Sequence, residues 1–222
     1  VFHDPETKTS IQLGNAEKLS KLLKKQVVFD FRSKDMERGG EGAPLAPIYH
    51  KLIIESLNLE LPSCILNIGG VSNITYWDGQ NLIGFDTGPG NALMNDYVKK
   101  FSNEYFDKDG YIASRGKVNN SFVEAFLKNS FFYKKPPKSL DRNTFKFEYH
   151  HLLKQNFSKY DIMATLAEFT IESIICAFKF MPKRVKNIIV SGGGHRNKYI
   201  MENLNERLNM NFLNQKDLLI KL

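Results

Sequence analysis

Two glycine-rich segments lie far apart in this sequence, and each directly follows a short apolar run. The first is residues 67–73, Asn-Ile-Gly-Gly-Val-Ser-Asn, and the second is residues 191–197, Ser-Gly-Gly-Gly-His-Arg-Asn. Glycine lets the backbone approach a ligand closely and turn its N–H groups toward an anion. Two such turns from one chain could hold the two ends of a nucleotide, so a phosphate-handling enzyme is the first hypothesis.

The first turn also has an ordinary structural interpretation, because a glycine pair is common in a β-hairpin. If Gly69 and Gly70 are to bind a ligand, then Asn67, Ser72 and Asn73 must line the same opening as polar groups. With that condition met, all five residues are candidates for contacting a nucleotide.

The second turn is more informative, since Gly192, Gly193 and Gly194 stand between a predicted strand and a predicted helix. Three glycines leave no side chain to block a flat base or a phosphate, and a helix N-terminus adds positive potential. Neither turn matches the Walker pattern or the dinucleotide fingerprint. These glycines, with Asn197 at the start of the helix, are predicted to contact a nucleotide.

An aspartate lies near the end of a predicted apolar strand at residues 27–31. At the carboxyl end of a strand, Asp30 would project into the crevice where α/β folds bind ligands, and it could serve there as a general base. The alternative is a strand-end aspartate that pairs with Arg32 or caps the next loop. A single acid is a weak signal, and the residues alone leave both interpretations open.

A second aspartate, Asp86, ends another predicted strand at residues 81–85. Magnesium favours carboxylate and water ligands, so Asp86 is a candidate metal ligand. Equally, Asp86, Thr87 and Asn91 could organise the tight loop at residues 87–91 and cap the helix that follows it.

Composition places the chain among ordinary globular proteins. It has 222 residues, of which 42% are hydrophobic and 25% charged, and its net charge is +7. The lysines are scattered rather than clustered, so a solvated surface is favoured over a nucleic-acid-binding face. Cys64 and Cys176 lie in apolar runs and are expected to be reduced thiols of a cytoplasmic protein. No transmembrane segment or leader is expected, and the chain, which opens on Val1, reads as an internal piece of a longer protein.

The order of predicted elements gives the fold class. Periodicity and turn signals indicate a short strand and a helix, then the strand with Asp30, then a helix; three meandering strands, a helix, two further helices, a strand, a helix and a last strand follow. This is an α/β fold of ribonuclease-H-like type with a mixed sheet flanked by helices. The predicted segments are residues 10–13, 15–23, 27–31, 47–57, 64–68, 72–77, 81–85, 92–101, 121–128, 161–180, 186–190, 197–208 and 211–213.

Taken together, these segments resemble the anhydro-N-acetylmuramic acid kinase family. Seven motifs occur in family order along nearly the whole chain, which is far more specific than one glycine turn. They are residues 27–32 with Asp35, then 39–47, 67–73, 86–91, 136–139, 164–168 and 191–197.

The resemblance implies a sugar kinase of the superfamily that includes acetate and sugar kinases, Hsp70 and actin, in which two lobes close around ATP and Mg²⁺. Such an enzyme opens the 1,6-anhydro ring of its sugar with water and phosphorylates O6, for recycling of cell-wall peptidoglycan in the cytoplasm. Asp30 matches the catalytic base, and Arg32 and Gly42 fall in the sugar-binding motifs. The resemblance also implies a homodimer in the full-length protein, with no nucleic-acid or membrane partner.

The sequence departs from the family pattern in three places. It lacks the N-terminal Gly-Thr-Ser-x-Asp-Gly hairpin and the C-terminal Glu-Ala-x-Ala-Phe-Ala segment, and Leu140 replaces the start of a Thr-Gly-Arg-Glu motif. We therefore expect residues 1–60 to be the tail of a first lobe that carries Asp30, and residues 61–222 to be an incomplete second lobe. The chain alone is expected to be inactive as a kinase.

Two other functions remain open at this point. The chain could be a non-catalytic relic or half-enzyme that binds sugar or nucleotide and needs a separate first lobe. It could also be a basic nucleic-acid-binding domain, although nucleases of this fold need several clustered carboxylates and the second lobe offers only Asp86 at a central strand end.

Overall fold

Two compact units make up the structure, a computed structural model that describes residues 2–4, 7–40 and 42–213. One unit ends at Leu45 and the other begins at Ala46. In the second unit, the helix after Ala46 packs on the sheet. The expected lobe boundary at residue 60 stays a prediction. Glu41, in the glycine-rich loop of the motif at residues 39–47, lies outside the described residues, as do residues 1, 5–6 and 214–222.

The first unit is small. Its two short strands pair antiparallel, and Asn15 caps the first helix by accepting the Lys18 N–H at 2.8 Å, as predicted. A second, one-turn helix was not predicted. The elements are β1 Phe2–Asp4, β2 Thr9–Ile11, α1 Ala16–Leu23 and α2 Ser33–Glu37.

The predicted strand at residues 27–31 is wrong in this structure. The segment is irregular, Val28, Phe29 and Phe31 are exposed, and Asp30 has a φ of +59°. A strand needs a neighbour for its N–H and C=O groups, and the two strands described in this unit pair with each other. Local apolar content therefore did not suffice to form a strand.

The second unit is built on a five-stranded mixed sheet. The strand order is β5-β4-β3-β6-β7; β4 runs antiparallel to β3 and β5, whereas β6 runs parallel to β3 and β7. This topology confirms the predicted ribonuclease-H-like class. The strands are β3 Ser63–Ile68, β4 Val71–Trp77, β5 Leu82–Pro89, β6 Asn187–Ser191 and β7 Asn211–Leu213.

Helices cover both faces of this sheet. The helices predicted for this unit are confirmed, and one further helix, Lys146–Leu153, was not predicted. Its apolar and polar residues follow no clear helical period, so the sequence gives little sign of it. No helix in the described ranges is long and apolar enough to cross a membrane. The helices are α3 Pro47–Ser56, α4 Ala92–Val98, α5 Asn120–Leu127, α6 Lys146–Leu153, α7 Lys159–Ala177 and α8 Lys198–Leu208.

Alternate residues of β3 serve two separate cores, because successive side chains of a strand point to opposite faces. Cys64, Leu66 and Ile68 join the large core that contains the buried face of α7. Ile65 joins a smaller core with Ile54 of α3. A strand buried on both faces reads as a continuous apolar run, which is why β3 was the clearest strand in the sequence.

A buried lysine lies at the edge of the large core. Lys138 is only 2% exposed, and its Nζ donates to the Phe131 carbonyl at 3.0 Å. The ammonium also lies 4.5 Å from the ring centroids of both Phe131 and Phe180 and 5.6 Å from that of Phe85. Burial lowers the pKa of Lys138 to about 8.

Replacement of Lys138 should therefore change the pH dependence of stability. Between pH 8 and 10.5 the folded lysine is neutral while the unfolded one is still protonated, so the unfolded state binds more protons and stability rises with pH. Relative to Lys138→Met, the wild type should gain at most about 3 kcal/mol of unfolding free energy across this range. Urea unfolding at a series of pH values measures it.

Lys146 is exposed and provides the matched control, since the unfolding free energy of Lys146→Met should change with pH as that of the wild type does. If the unfolding free energies of the wild type and Lys138→Met change in parallel with pH, burial of the Lys138 ammonium does not destabilise the folded state and the prediction is wrong.

Candidate functional site

The two glycine turns meet at one edge of the sheet. Because β3 and β6 are parallel, their carboxyl ends coincide, and Asn67 stands opposite Ser191 in the register. The Ser191 hydroxyl lies 3.4 Å from Asn67 Oδ1. The structure thus brings together two segments that are more than a hundred residues apart in the sequence.

The chain between β5 and α4 holds the first turn in place. The N–H of Gly90 donates to the Gly70 carbonyl at 2.9 Å, and that of Asn91 donates to the Gly69 carbonyl at 2.7 Å. The side-chain amide of Asn91 also donates to the Ile68 carbonyl at 3.0 Å. These bonds occupy the carbonyls of the turn, whose partial negative charge would otherwise oppose an anion.

The three glycines of the second turn have three different surroundings. Gly192 has a φ of +77°, and a Cβ there would come 2.6 Å from the Ile68 carbonyl oxygen. A Cβ on the buried Gly194 would come 2.3 Å from the Ile68 side chain. By contrast, a Cβ on the exposed Gly193 would meet no atom within 4 Å. Gly192 and Gly194 are thus needed for packing between the turns, and Gly193 leaves open space.

The glycines do not lead directly into a helix, as the sequence suggested. Residues Gly193–Arg196 form a 3₁₀ turn, and α8 begins after Asn197. Asn197 is buried and its Oδ1 accepts the Ile200 N–H at 3.2 Å. Its side chain therefore already caps the helix, which reduces the positive potential that a ligand would meet there.

A cleft of about 170 Å³ opens beside Gly193. Its lining combines apolar side chains with amide, guanidinium and carboxylate groups, the mixture that a nucleoside would require. Sequence reasoning missed the segment around residues 106–109, which carries no motif and reaches the cleft only through the fold. Besides Gly193 and Asn197, the lining includes Asn91, Met94, Asn95, Phe106, Asp109 and Arg196.

Asp107, at the rim of this cleft, has a structural role. Its carboxylate accepts the N–H groups of Ile112 and Ala113 at 2.8 and 3.0 Å. Burial raises the pKa of Asp107, and these two hydrogen bonds oppose the rise. The neighbouring Asp109 is exposed, so it is the carboxylate that a ligand in the cleft can reach.

The polar residues predicted around the first turn separate into two kinds. Asn67 and Asn73 are half-buried and face each other in the β3–β4 register. Ser72 is fully buried, so the expectation that it lines the opening is corrected: it lies on the same face of β4 as Ile74 and Tyr76, which belong to the large core. In the part of the chain that the structure describes, its hydroxyl has no hydrogen-bond partner.

Asp86 is not at a strand end, because β5 continues through it to Pro89. It is buried, its N–H donates to the Lys138 carbonyl at 3.1 Å, and its Oδ2 accepts the Leu140 N–H at 2.8 Å. Among the described residues, no group of three or more His, Cys, Asp or Glu could hold a metal ion. These contacts favour the structural interpretation of Asp86, and its metal role stays a prediction.

The candidates of the first unit form a local network of their own. Arg32 Nη1 donates to the Gly42 carbonyl at 2.6 Å, and the Gly42 N–H donates to Asp35 Oδ2 at 2.8 Å. Asp30 is exposed and accepts a hydrogen bond from the Ser33 hydroxyl. Arg32 thus fixes the glycine-rich loop rather than pairing with Asp30, which leaves the Asp30 carboxylate accessible.

The different surroundings of the glycines can be tested by adding one methyl group. Gly192→Ala should lower the unfolding free energy by about 3 kcal/mol, because it combines an unfavourable φ with a backbone clash. Gly193→Ala, the matched control, should change it by less than about 0.5 kcal/mol. Urea unfolding measures both variants, and equal stability would show that the turns are not in close contact.

Comparisons with known proteins give the family of this chain. The family model for anhydro-N-acetylmuramic acid kinase matches residues 1–219. The chain is 43% identical over 209 residues to a curated relative of that name from Rhodopseudomonas palustris BisB18, and 41% identical to one from Nitrobacter winogradskyi. Each match covers 94% of this chain and 56% of the relative, so the chain spans about half the length of the curated relatives it matches.

Solved structures give more distant likenesses. Component A of (R)-2-hydroxyglutaryl-CoA dehydratase from Acidaminococcus fermentans is 14% identical with a TM-score of 0.49, over 74% of this chain and 61% of that one. A xylulose kinase from Lactobacillus acidophilus is 13% identical with a TM-score of 0.46, over 74% and 37%. The family match extends over nearly the whole sequence, and the chain belongs to the anhydro-N-acetylmuramic acid kinase family.

Proposed function

We propose that this chain supplies the nucleotide-binding half, and the catalytic carboxylate, of an ATP-dependent anhydro-N-acetylmuramic acid kinase. The observation that carries the proposal is the meeting of two bare-backbone turns at one sheet edge in a member of that family. The product would be N-acetylmuramic acid 6-phosphate.

The residues at this edge fit ATP. Gly70 is exposed and a Cβ there would meet no atom within 4 Å, so a phosphate could approach the backbone of the first turn closely. Gly193 offers the same open backbone at the mouth of the cleft, where Phe106 and Met94 provide apolar surface for a base. Asn95 and Asp109 provide hydrogen-bonding groups for a ribose.

Phosphoryl transfer relies on positioning and on stabilisation of charge, with little covalent chemistry for the protein to perform. Backbone N–H groups held rigidly in the turns would supply fixed dipoles, and the Asn91 hydrogen bonds keep the first turn from relaxing. When bound with ATP, Mg²⁺ would neutralise phosphate charge. Asp86 is the residue that the sequence predicts as its ligand.

In the proposed reaction, Asp30 takes a proton from the water that attacks the anomeric carbon, and the ring oxygen released at C6 accepts the γ-phosphoryl group. An exposed carboxylate whose neighbouring arginine is occupied elsewhere is available for this role. Arg32 and Gly42 would shape the adjoining sugar site, and the Arg32 Nε, buried and without a partner among the described residues, is a donor that the site can still use.

A second candidate is a half-enzyme that binds nucleotide but turns over nothing without a separate first-lobe polypeptide. In this candidate, the part of the curated relatives that has no counterpart here, more than two fifths of their length, comes from a second polypeptide. Both candidates predict nucleotide binding and no product from these 222 residues alone. They differ in whether the first lobe belongs to the same polypeptide, which the flanking coding sequence decides.

Bulky substitutions at the open glycines should weaken nucleotide binding. Gly70→Val and Gly193→Val should each raise the Kd of MgATP by about tenfold or more, because each fills space at which the ligand meets bare backbone. Isothermal titration calorimetry measures the affinity. Ser121→Val, on the exposed side of α5, adds a branched side chain elsewhere and should leave the Kd unchanged.

Unchanged affinity in both glycine variants, with unfolding midpoints equal to wild type, would contradict the nucleotide site. An equal loss in Ser121→Val would show that the effect is not local.

Asp30 should be required for turnover and not for nucleotide binding. In the complex of this chain with the missing family segment, Asp30→Asn should lower kcat by about 10³-fold, as expected for loss of a general base. The Kd of MgATP should be unchanged, and the chain without that segment should form no product. Retained turnover in Asp30→Asn, or robust product from the chain alone, would contradict this assignment.

A further inference from the structure

A buried threonine of α7 lies behind the chain that holds the first glycine turn. Thr170 is 1% exposed, and its Oγ1 lies 3.0 Å from the Pro89 carbonyl oxygen and 2.9 Å from that of Gly90. The Leu166 carbonyl, four residues earlier in the helix, is farther away at 3.3 Å. A threonine inside a helix commonly donates to that earlier carbonyl. Here the shorter distances direct the hydroxyl to the two carbonyls outside the helix.

Those two carbonyls belong to peptide groups that also contact the first turn. The Pro89–Gly90 peptide directs its N–H to the Gly70 carbonyl at 2.9 Å, and the Gly90–Asn91 peptide directs its N–H to the Gly69 carbonyl at 2.7 Å. Each peptide group therefore has its carbonyl at the α7 hydroxyl and its N–H at the turn. Hydrogen bonds in such a chain polarise one another, so the loss of one weakens the next.

The Gly70 N–H is the last group of this hydrogen-bonded chain. It belongs to the same peptide group as the Gly69 carbonyl, so the hydrogen bond from the Asn91 N–H to that carbonyl makes the Gly70 N–H a stronger donor. Among the described residues, no backbone carbonyl accepts the Gly70 N–H. Gly70 is exposed, and the proposed function assigns a nucleotide phosphate to its backbone.

Close packing confines the same segment. A Cβ on Gly90 would come 2.3 Å from the Gly69 carbonyl oxygen, and one on Gly88 would come 2.5 Å from the Ser173 Cβ of α7. Residues 88–90 are therefore held tightly between α7 and the first turn. Because a close-packed interior transmits small displacements, a change in this part of α7 should reach the turn.

We propose that Thr170 is a positioning residue for the nucleotide: its hydroxyl, acting through the two peptide groups of residues 89–91, orients the Gly70 N–H toward a phosphate of ATP. The inference rests on the proposed function, because it takes the phosphate as the ligand of Gly70. Thr170 itself is buried and acts only through the backbone in front of it. A donor that is fixed before binding costs less to order in the complex, so Thr170 should act on affinity.

An isosteric substitution tests this role. Thr170→Val replaces the hydroxyl by a methyl group and should raise the Kd of MgATP about tenfold, because the two peptide groups lose their shared donor. Thr170→Ser keeps the hydroxyl and should bring the Kd back to within about twofold of the wild type. Isothermal titration calorimetry measures these affinities. If Thr170→Val is too unstable to titrate, Thr170→Ala removes the hydroxyl without placing a methyl group against the carbonyls and should show the same loss.

Thr165 provides the matched control in the same helix. It is fully buried, and its hydroxyl donates to the Asp161 carbonyl at 2.7 Å and accepts the Asn119 N–H at 3.0 Å. Thr165→Val should destabilise the fold, because it leaves a backbone N–H without its acceptor, and should leave the Kd of MgATP unchanged. An equal rise of the Kd in both valine variants would show that general loosening of α7 is the cause, and the inference would be wrong.

The ligand-free protein gives a second readout. In ¹⁵N-glycine-labelled samples, Thr170→Val should shift the amide signals of Gly90 and Gly70, since both N–H groups belong to the hydrogen-bonded chain. Thr165→Val should leave both signals in place. A Gly70 signal that does not move in Thr170→Val would contradict the inference.

The outcomes separate this inference from the function on which it rests. Unchanged MgATP affinity in Thr170→Val, together with weakened binding in Gly70→Val, would overturn the role of Thr170 and leave the nucleotide site intact. A wild type that binds no MgATP would contradict the proposed function, and the role of Thr170 with it.

Discussion

The parallel pairing of β3 with β6 is the constraint on which the rest of the second unit depends. It places two strand ends, distant in sequence, at one edge of the sheet and in one register. The loops that follow must then share a small volume, and only glycine fits where Gly192 and Gly194 press against Ile68. Packing thus explains two of the three glycines, and the third is left free for a ligand.

The remainder of the sheet supports this edge from the side. Asp86 ties β5 to the segment around Lys138 and Leu140, and β5 leads into Asn91, which holds the first turn. The contacts of Asp86 in this structure therefore support the segment that positions the first turn, and its metal role stays a prediction. Rigid backbone dipoles are useful in phosphoryl transfer because they need no reorganisation when charge develops.

The sequence predicted what short-range rules decide. Asn15 caps a helix, the strands of the sheet follow their apolar runs, and the glycine turns lie at strand ends. It failed where distant partners decide: residues 27–31 have a strand pattern but pair with no strand among the described residues, and Ser72 lies on the face of β4 that the large core covers. The Phe106–Asp109 side of the cleft has no local signature, since only tertiary packing brings it to Gly193.

The central claim is that both turns contact one nucleotide, and NMR of ¹⁵N-glycine-labelled protein tests it most directly. On addition of MgATP, the amide signals of Gly69, Gly70 and Gly193 should shift together with one common Kd. Gly79, in the hairpin at the opposite end of β4, is the internal control and should not move. Shifts confined to one turn, or two different affinities, would contradict a shared site.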